Sequence, residues 1–262
     1  MVRGVYPATT RPIPTALRPR SPSVSGVAER FKSVRLSTKE TPTSENRLFE
    51  YLIGDVRSGA VHGKERTFAK GEVVFHEGDP GDTLHLIVDG LFAVRTGTSA
   101  GRHLIINILG PGDVVGEFAV FSTEGRRTSD VSALVAGKTV TVDRVQLRKE
   151  LRTRPELIEE LMATVVRKAE NTQHRLVELL SIPADLRVLR AVLLLDGMNR
   201  PEEAIPLTQS DLANFAATTR PTANRVMREE SERGTLELLR GRVTVLDRGR
   251  LARRAQVDLE GL

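Results

Sequence analysis

Between Phe68 and Val142 the apolar positions come in short runs rich in β-branched residues. Polar turn signals separate them at Gly78-Asp79-Pro80-Gly81, Gly97 to Gly101, Gly110-Pro111-Gly112 and Gly137-Lys138. Runs of that length between glycine and proline turns predict a compact antiparallel β-domain. The stretch Asn46 to Ser58 reads as a leading helix packed against it. After Pro155 the period changes: Met162, Val165, Ala169, Thr172, Leu176 and Leu179 recur at alternating spacings of three and four, with Ile158 leading in. That repeat reads as the seam of a two-stranded coiled coil, which would make a homodimer, or else as the face of an amphipathic helix packed on its own domain. A helix from Glu156 to Ser181 would run about 40 Å. Thr172 is its polar member; a polar residue in an apolar seam costs stability, so it specifies register or serves a ligand.

Pro183 ends this helix, and Ala184 to Leu195 reads as the first helix of a separate small α/β unit. Thr208-Gln209-Ser210-Asp211 resembles a capping box with Asp in place of Glu, and Leu212, Phe215 and Ala216 supply the buried face of the helix it opens. A break at Ala217-Thr218-Thr219 follows. Thr219 can N-cap a second helix beginning Arg220-Pro221-Thr222-Ala223-Asn224-Arg225, where proline is tolerated in the first turn. Helix, three-residue turn, helix is the spacing of a helix-turn-helix, whose second helix enters the major groove by its N-terminal residues. Arg220 and Arg225 lie about 140° apart around that helix, so they need not meet the same target. Leu236 to Leu239, then Arg240-Gly241, then Arg242 to Leu246 reads as a hairpin with a basic tip, the wing of a winged helix.

Composition narrows the classes. The chain has 262 residues, 39% of them hydrophobic, enough for two packed domains. Its apolar runs are far shorter than the roughly 20 residues that span a bilayer, so no membrane partner is expected. Cysteine is absent, which excludes disulfides, cysteine nucleophiles, zinc-cysteine sites and cysteine-ligated iron–sulfur clusters and fits a cytoplasmic location. The net charge of +5 is carried by the N-terminal segment: residues 1–46 hold 8 basic and 3 acidic side chains, and residues 184–262 hold 13 and 12. Nucleic-acid binding therefore has to be argued from where the arginines sit. Residues 1–45 are rich in Pro, Ser, Thr and Arg, the composition of a disordered tail. A similar composition marks transit peptides, and a basic tail can add nonspecific DNA affinity.

The run Gly116-Glu117-Phe118-Ala119-Val120-Phe121, followed by Arg127-Thr128-Ser129, combines the parts of a phosphate-sugar cradle. A glycine admits an anion to backbone N–H groups, a helical turn follows, and an arginine neutralises the charge. Glu117 is then free for a ribose hydroxyl. This order resembles the phosphate-binding cassette of cyclic-nucleotide-binding domains. Upstream, Phe75-His76-Glu77-Gly78-Asp79-Pro80-Gly81 and the apolar strand to Gly90 resemble the turn-and-strand signature of the same family.

Cassette, seam helix and winged helix in this order resemble the CRP/FNR (catabolite activator/fumarate-nitrate regulator) family of bacterial transcription factors across about residues 46–248. The resemblance implies an α+β fold: a β jelly-roll cyclic-nucleotide-binding domain (46–150), a long dimerisation helix and hinge (151–183) and a winged helix-turn-helix domain (184–250), with tails at 1–45 and 251–262. It implies Gly116, Glu117, Phe118, Arg127 and Thr128 at the phosphate and ribose, and Thr172 and Gln173 at the base. Thr208, Gln209, Thr219, Arg220, Thr222, Arg225 and Arg242 would meet DNA, with Arg225 on guanine. The expected protein is a homodimer that responds to a cyclic nucleotide, cAMP before cGMP, and binds double-stranded DNA at a two-fold symmetric site. RNA polymerase is a partner if the outcome is activation. The alternative is the same architecture sensing a different small ligand, or none. An enzyme such as a phosphodiesterase would need clustered His and Asp metal ligands, and His62, His76, His85, His103 and His174 are scattered; neither catalysis nor a metal is expected.

Three positions depart from the family pattern. Pro221 occupies the slot of a base-reading glutamate. Ala217 replaces a turn glycine, which is tolerable if its φ is negative. Glu229 and Glu230 fall where a leucine usually anchors the recognition helix, and a buried unpaired carboxylate there would shift or loosen it.

Overall fold

The computed structural model describes residues 46–97, 103–199 and 204–257. The expected tail 1–45, most of the turn between Gly97 and Gly101, and the last residues of the expected C-terminal tail lie outside the described residues. The leading helix α1 (Arg47–Ser58) is capped by the Asn46 side chain and ends at Gly59, which adopts a left-handed conformation. Eight strands follow: β1 (Gly63–Phe68), β2 (Val73–Phe75), β3 (Thr83–Asp89), β4 (Phe92–Gly97), β5 (His103–Leu109), β6 (Val114–Val115), β7 (Asp130–Ala133) and β8 (Gly137–Asp143). A five-residue helix α2 (Glu117–Phe121) sits between β6 and β7. The strands form two four-stranded antiparallel sheets, in the orders β1-β8-β3-β6 and β2-β7-β4-β5.

Three packed layers follow from which faces are apolar. Phe68, Ile87, Phe92, Leu109, Val115 and Val131 cluster between the sheets, with Phe68 and Phe92 edge to face at 5.8 Å. The outer face of the first sheet is covered by α1, by α3 (Arg144–Thr153) and by the start of the long helix α4 (Pro155–Ser181), through Leu48, Leu52, Leu147, Leu157 and Leu161. The second sheet is not left to solvent. Leu91, Ala93, Ile105 and Ile108 belong to one core with the C-terminal unit, which comprises α5 (Ala184–Met198), α6 (Gln209–Phe215), α7 (Arg220–Glu232), β9 (Leu236–Leu239), β10 (Arg242–Val245) and α8 (Arg248–Ala255). Two polar contacts reinforce that seam: Arg95 on β4 donates to Asp211 at 3.1 Å, and Lys70 donates to the carbonyl of Pro206 at 3.2 Å.

Local chemistry explains the C-terminal elements. The Thr208 side chain accepts from the N–H of Asp211 and caps α6, and that of Thr219 accepts from Thr222 and caps α7. Gly241, at φ 72°, makes the tip of the β9–β10 wing. Four expectations need correction. The segment from residue 251 is not a tail: Leu251, Ala252 and Ala255 of α8 are buried in the core beside α5. Ala217 has a positive φ of 47°, so the turn imposes on a Cβ-bearing residue the conformation glycine favours. Arg187 holds it there, donating to the carbonyls of Ala216 and Ala217 at 3.0 Å each. Glu230 is buried but not unpaired: Arg254 donates to it at 2.5 Å, Arg233 at 3.2 Å and the Thr235 hydroxyl at 2.8 Å. The glutamate therefore docks α7 onto α8 and β9 instead of loosening it. Glu229 faces outward and accepts from Arg225 at 2.8 Å.

Ala217→Gly is expected to stabilise the protein by about 0.5–1 kcal/mol, because relief of the left-handed alanine exceeds the added chain entropy of glycine. Thermal unfolding should show a midpoint raised by about 1–4 °C; a lowered midpoint would mean that the methyl group's packing outweighs its backbone strain.

Candidate nucleotide cavity and nucleic-acid interface

The chain leaves β6, turns at Gly116 and enters α2. Gly116 has φ 95°, and a Cβ there would fall on the Arg127 guanidinium and 3.1 Å from the carbonyl oxygen of Thr83. Only glycine satisfies both the turn and the arginine's approach. Arg127 is buried against the ring of Phe75, 4.1 Å from its centroid. Its Nη2 donates to the Thr83 hydroxyl at 3.0 Å and its Nη1 to the carbonyl of Gly116 at 3.4 Å. Burial pushes its pKa down, and Asp82, Asp79 and Glu117 pull it back up. Glu117 is also buried, and it is not wholly free, as the sequence suggested. Lys168 on α4 donates to its Oε1 at 2.6 Å and to the carbonyl of Val114 at 2.8 Å. Among the described residues three buried side-chain polar atoms lack a protein partner; two of them, Glu117 Oε2 and Arg127 Nε, lie here, and the third is Asn224 Oδ1 on α7.

Both residues line a cavity of about 120 Å³ with Gly116, Phe118, Thr128, Asn107, Lys168 and Thr172. Of the expected ligand residues the structure brings together Gly116, Glu117, Phe118, Arg127, Thr128 and Thr172. Gln173 does not line this cavity; it is exposed on α4, because successive helical positions point about 100° apart. Sequence reasoning missed Lys168, although it sits four residues before Thr172 and so shares its helix face. The Thr172 hydroxyl donates to the carbonyl of Lys168 at 2.8 Å.

Behind Arg127 lies a histidine. His85 on β3 is 1% exposed; its Nε2 is 3.3 Å from the Thr83 hydroxyl and its Nδ1 is 3.1 Å from that of Thr139. Burial lowers its pKa to about 3, helped by the charges of Arg127 and Arg66.

At the other end of the molecule, Thr208, Gln209, Arg220 and Arg242 line one groove of about 420 Å³ between the N-termini of α6 and α7 and the wing, together with Arg240. Thr219 and Thr222 are tied to each other at 2.9 Å in the cap of α7. Arg225 is outside that groove and is not unoccupied: its Nη2 donates to both oxygens of Asp185 at 2.7 and 2.8 Å and its Nη1 to Glu229. Those contacts, Asp185 first, raise its pKa. The two nitrogens that a guanine edge would need are thus taken separately, Nη2 by the Asp185 carboxylate of α5 and Nη1 by Glu229.

A sensor β-domain with an anion-and-sugar cradle, joined by a long helix to a winged helix-turn-helix, defines a ligand-binding DNA-binding regulator. The family model for the cyclic nucleotide-binding domain matches residues 65–154, and that for the Crp-like helix-turn-helix domain matches 186–254. A CRP-like cAMP-activated global transcriptional regulator of Mycobacterium tuberculosis is 32% identical over 195 residues, 72% of this chain and 87% of that protein. The cAMP-activated global transcriptional regulator CRP of Escherichia coli is 24% identical over 160 residues, 59% and 76% of the two chains. Among solved structures, FixK2 from Bradyrhizobium japonicum has the same fold, with a TM-score of 0.65 at 20% identity over 73% of this chain and 96% of that one. The chain belongs to the CRP/FNR family of transcription regulators, which are not enzymes. Among the described residues no helix is long and apolar enough to cross a membrane, and no group of three or more His, Asp or Glu is placed to hold a metal.

Two outcomes follow from these sites. Because His85 titrates near 6.5 when unfolded and about 3 when folded, the unfolded chain binds the extra proton between those values. Stability from this group is intact above about pH 6.5 and lost progressively toward pH 3, by at most about 1.4 kcal/mol per pH unit. Denaturant titrations between pH 7.5 and 4.5 should give a shallower pH dependence for His85→Phe than for the wild type; equal slopes would mean that the folded imidazole takes up its proton as readily as the unfolded one. At the DNA end, Arg225→Ala should relax preference at one base pair per half-site, at a cost of about 1–3 kcal/mol, whereas Arg242→Ala should weaken all sequences alike and flatten the salt dependence. Selection from a random DNA pool separates the two, and an unchanged motif for the Arg225 variant would assign that arginine to Asp185 alone.

Proposed function

We propose that this regulator is a homodimer that binds cAMP in preference to cGMP and, in response, a two-fold symmetric DNA site in the cytoplasm. The observation that carries the ligand reading is the pair of buried, unpartnered atoms, Glu117 Oε2 and Arg127 Nε, on residues lining one cavity. A carboxylate oxygen awaiting a donor and a cationic N–H awaiting an anion are the complements of a ribose hydroxyl and a cyclic phosphate. The preference for adenine rests on Thr172. Its proton is committed to the carbonyl of Lys168, so its oxygen accepts only; that suits the 6-amino group of adenine and opposes the O6 of guanine. The M. tuberculosis relative is named for cAMP activation, in keeping with this choice.

The dimer reading rests on α4, where Ile158, Met162, Val166, Leu176 and Leu180 are all exposed apolar side chains. A stripe of that length in water favours a second copy of the same helix. The same helix supports the coupling. Lys168 reaches the cassette, Thr172 the cavity, and Arg175 donates to the carbonyls of Ile105 on β5 and Phe215 at the end of α6 while stacking on the Phe215 ring. A ligand that biases α4 thereby biases the helix-turn-helix. RNA polymerase enters this reading only if the outcome is activation.

Calorimetric titration with both nucleotides tests the proposal. The wild type should bind cAMP more tightly than cGMP. Arg127→Leu should lose at least about tenfold in affinity with its melting profile retained, and Thr172→Val should narrow the preference. Unchanged affinity in a folded Arg127 variant would remove that arginine from the site, and a monomer by sedimentation with and without nucleotide would remove the dimer.

A further inference from the structure

The cassette arginine is braced from behind by half-buried Thr83 and by buried His85, Thr139 and Phe75, of which only Phe75 lines the cavity. Arg127 Nη2 is a fixed donor, so the Thr83 hydroxyl accepts from it. The proton of Thr83 then needs an acceptor of its own, and the neighbouring group is His85 Nε2 at 3.3 Å. With Nε2 accepting, the imidazole proton sits on Nδ1 and is donated to Thr139, a fully buried hydroxyl on β8, at 3.1 Å. The His85 ring also lies against Phe75, with centroids 5.8 Å apart, and Phe75 is the ring on which the Arg127 guanidinium stacks. A group that accepts from Thr83 and backs Phe75 therefore constrains Arg127 both at its edge and at its face.

We infer that His85, acting through Thr83 and Phe75, is the positioning residue that holds the Arg127 guanidinium in the plane in which its unpartnered Nε meets an anion. The inference rests on the cyclic-nucleotide reading of the cavity. The neutral ring is essential to it. A protonated His85 would present a donor to Thr83 in competition with Arg127 and add a like charge beside it. Burial, with the charges of Arg127 and Arg66, lowers the ring's pKa to about 3, so the ring is neutral and the brace intact at any pH well above that value.

The test uses the full chain and calorimetric titration with cAMP and with adenosine, which has the base and ribose but no phosphate. His85→Phe keeps an aromatic ring beside Phe75 and removes the acceptor; Thr83→Val keeps the shape and removes the hydroxyl. Each variant is expected to weaken cAMP binding roughly tenfold, the double variant no more than the worse single one, and adenosine binding should not change. Wild-type cAMP affinity in both folded variants, additive losses in the double variant, or equal losses for adenosine would each overturn the inference, the last because it marks a merely structural role. If His85→Phe fails to fold, His85→Leu takes its place, because Thr83→Val removes a direct contact of Arg127 and does not by itself test the histidine. A wild type that binds neither cAMP nor cGMP overturns the functional reading itself, and the positioning role with it. That outcome is distinct from a wild type that binds beside variants that do also.

Discussion

A guanidinium taken out of water has to be met by acceptors on every side, and the placement of Arg127 is the constraint around which the sensor domain is arranged. Its contacts come from three separate places in the chain, the Thr83 hydroxyl on β3, the Gly116 carbonyl after β6 and the Phe75 ring on β2, and the charges of Asp82, Asp79 and Glu117 act on it from nearby. The jelly roll brings those strands together, and Gly116 is a glycine because the arginine occupies the volume a side chain would need. One guanidinium nitrogen and one carboxylate oxygen remain unmatched. Two such atoms side by side in one cavity, one an N–H donor and the other a carboxylate acceptor, are what the ligand reading of the site rests on.

The same accounting links the two ends of the molecule. Arg175 is buried enough that its pKa falls to about 10, chiefly through desolvation. It is satisfied by carbonyls from β5 and α6 together, so it spans the sensor sheet and the helix-turn-helix. Arg187 does the same for the turn between α6 and α7 through the carbonyls of Ala216 and Ala217. Arginine suits these places because its fork of donors meets several carbonyls at once, which a lysine cannot do in fixed geometry. With the shared core of Leu91, Ala93, Ile105 and Ile108 behind it, Arg175 ties the helix-turn-helix to α4, the helix that also carries Lys168 and Thr172.

In the DNA-reading unit charge serves structure and recognition side by side. Glu230 lies where an apolar anchor was expected, yet the arrangement holds because Arg254, Arg233 and Thr235 surround it. A buried carboxylate with three donors docks a helix, whereas one with none would eject it. Arg225 shows the converse: an exposed arginine on α7 that is already satisfied by Asp185 and Glu229. Arg220, Arg240 and Arg242 instead line the groove between helix and wing.

The order of local signals was legible from residue types alone, because each depends on neighbours a few positions away. The capping threonines at 208 and 219, the wing turn at Gly241, the glycine before α2 and the apolar period of α4 are all short-range patterns, and together they define the class of protein. Partners distant in sequence were not legible. Lys168 meets Glu117, His85 stands behind Arg127 through Thr83, and Asp185 takes Arg225 only after the chain has folded back on itself. The C-terminal residues of α8 read as a tail because eight residues rich in arginine show little apolar pattern until α5 supplies the surface they bury. At Ala217 the resemblance marked a slot for a turn glycine, but the alanine itself did not reveal that its backbone is left-handed, since the turn is held by Arg187 and the helices on either side. The sequence by itself thus determined which elements form and which chemistry they carry; only the tertiary structure decided which charges are already paired and which are left for a ligand, because pairing is a matter of distance in space and not along the chain.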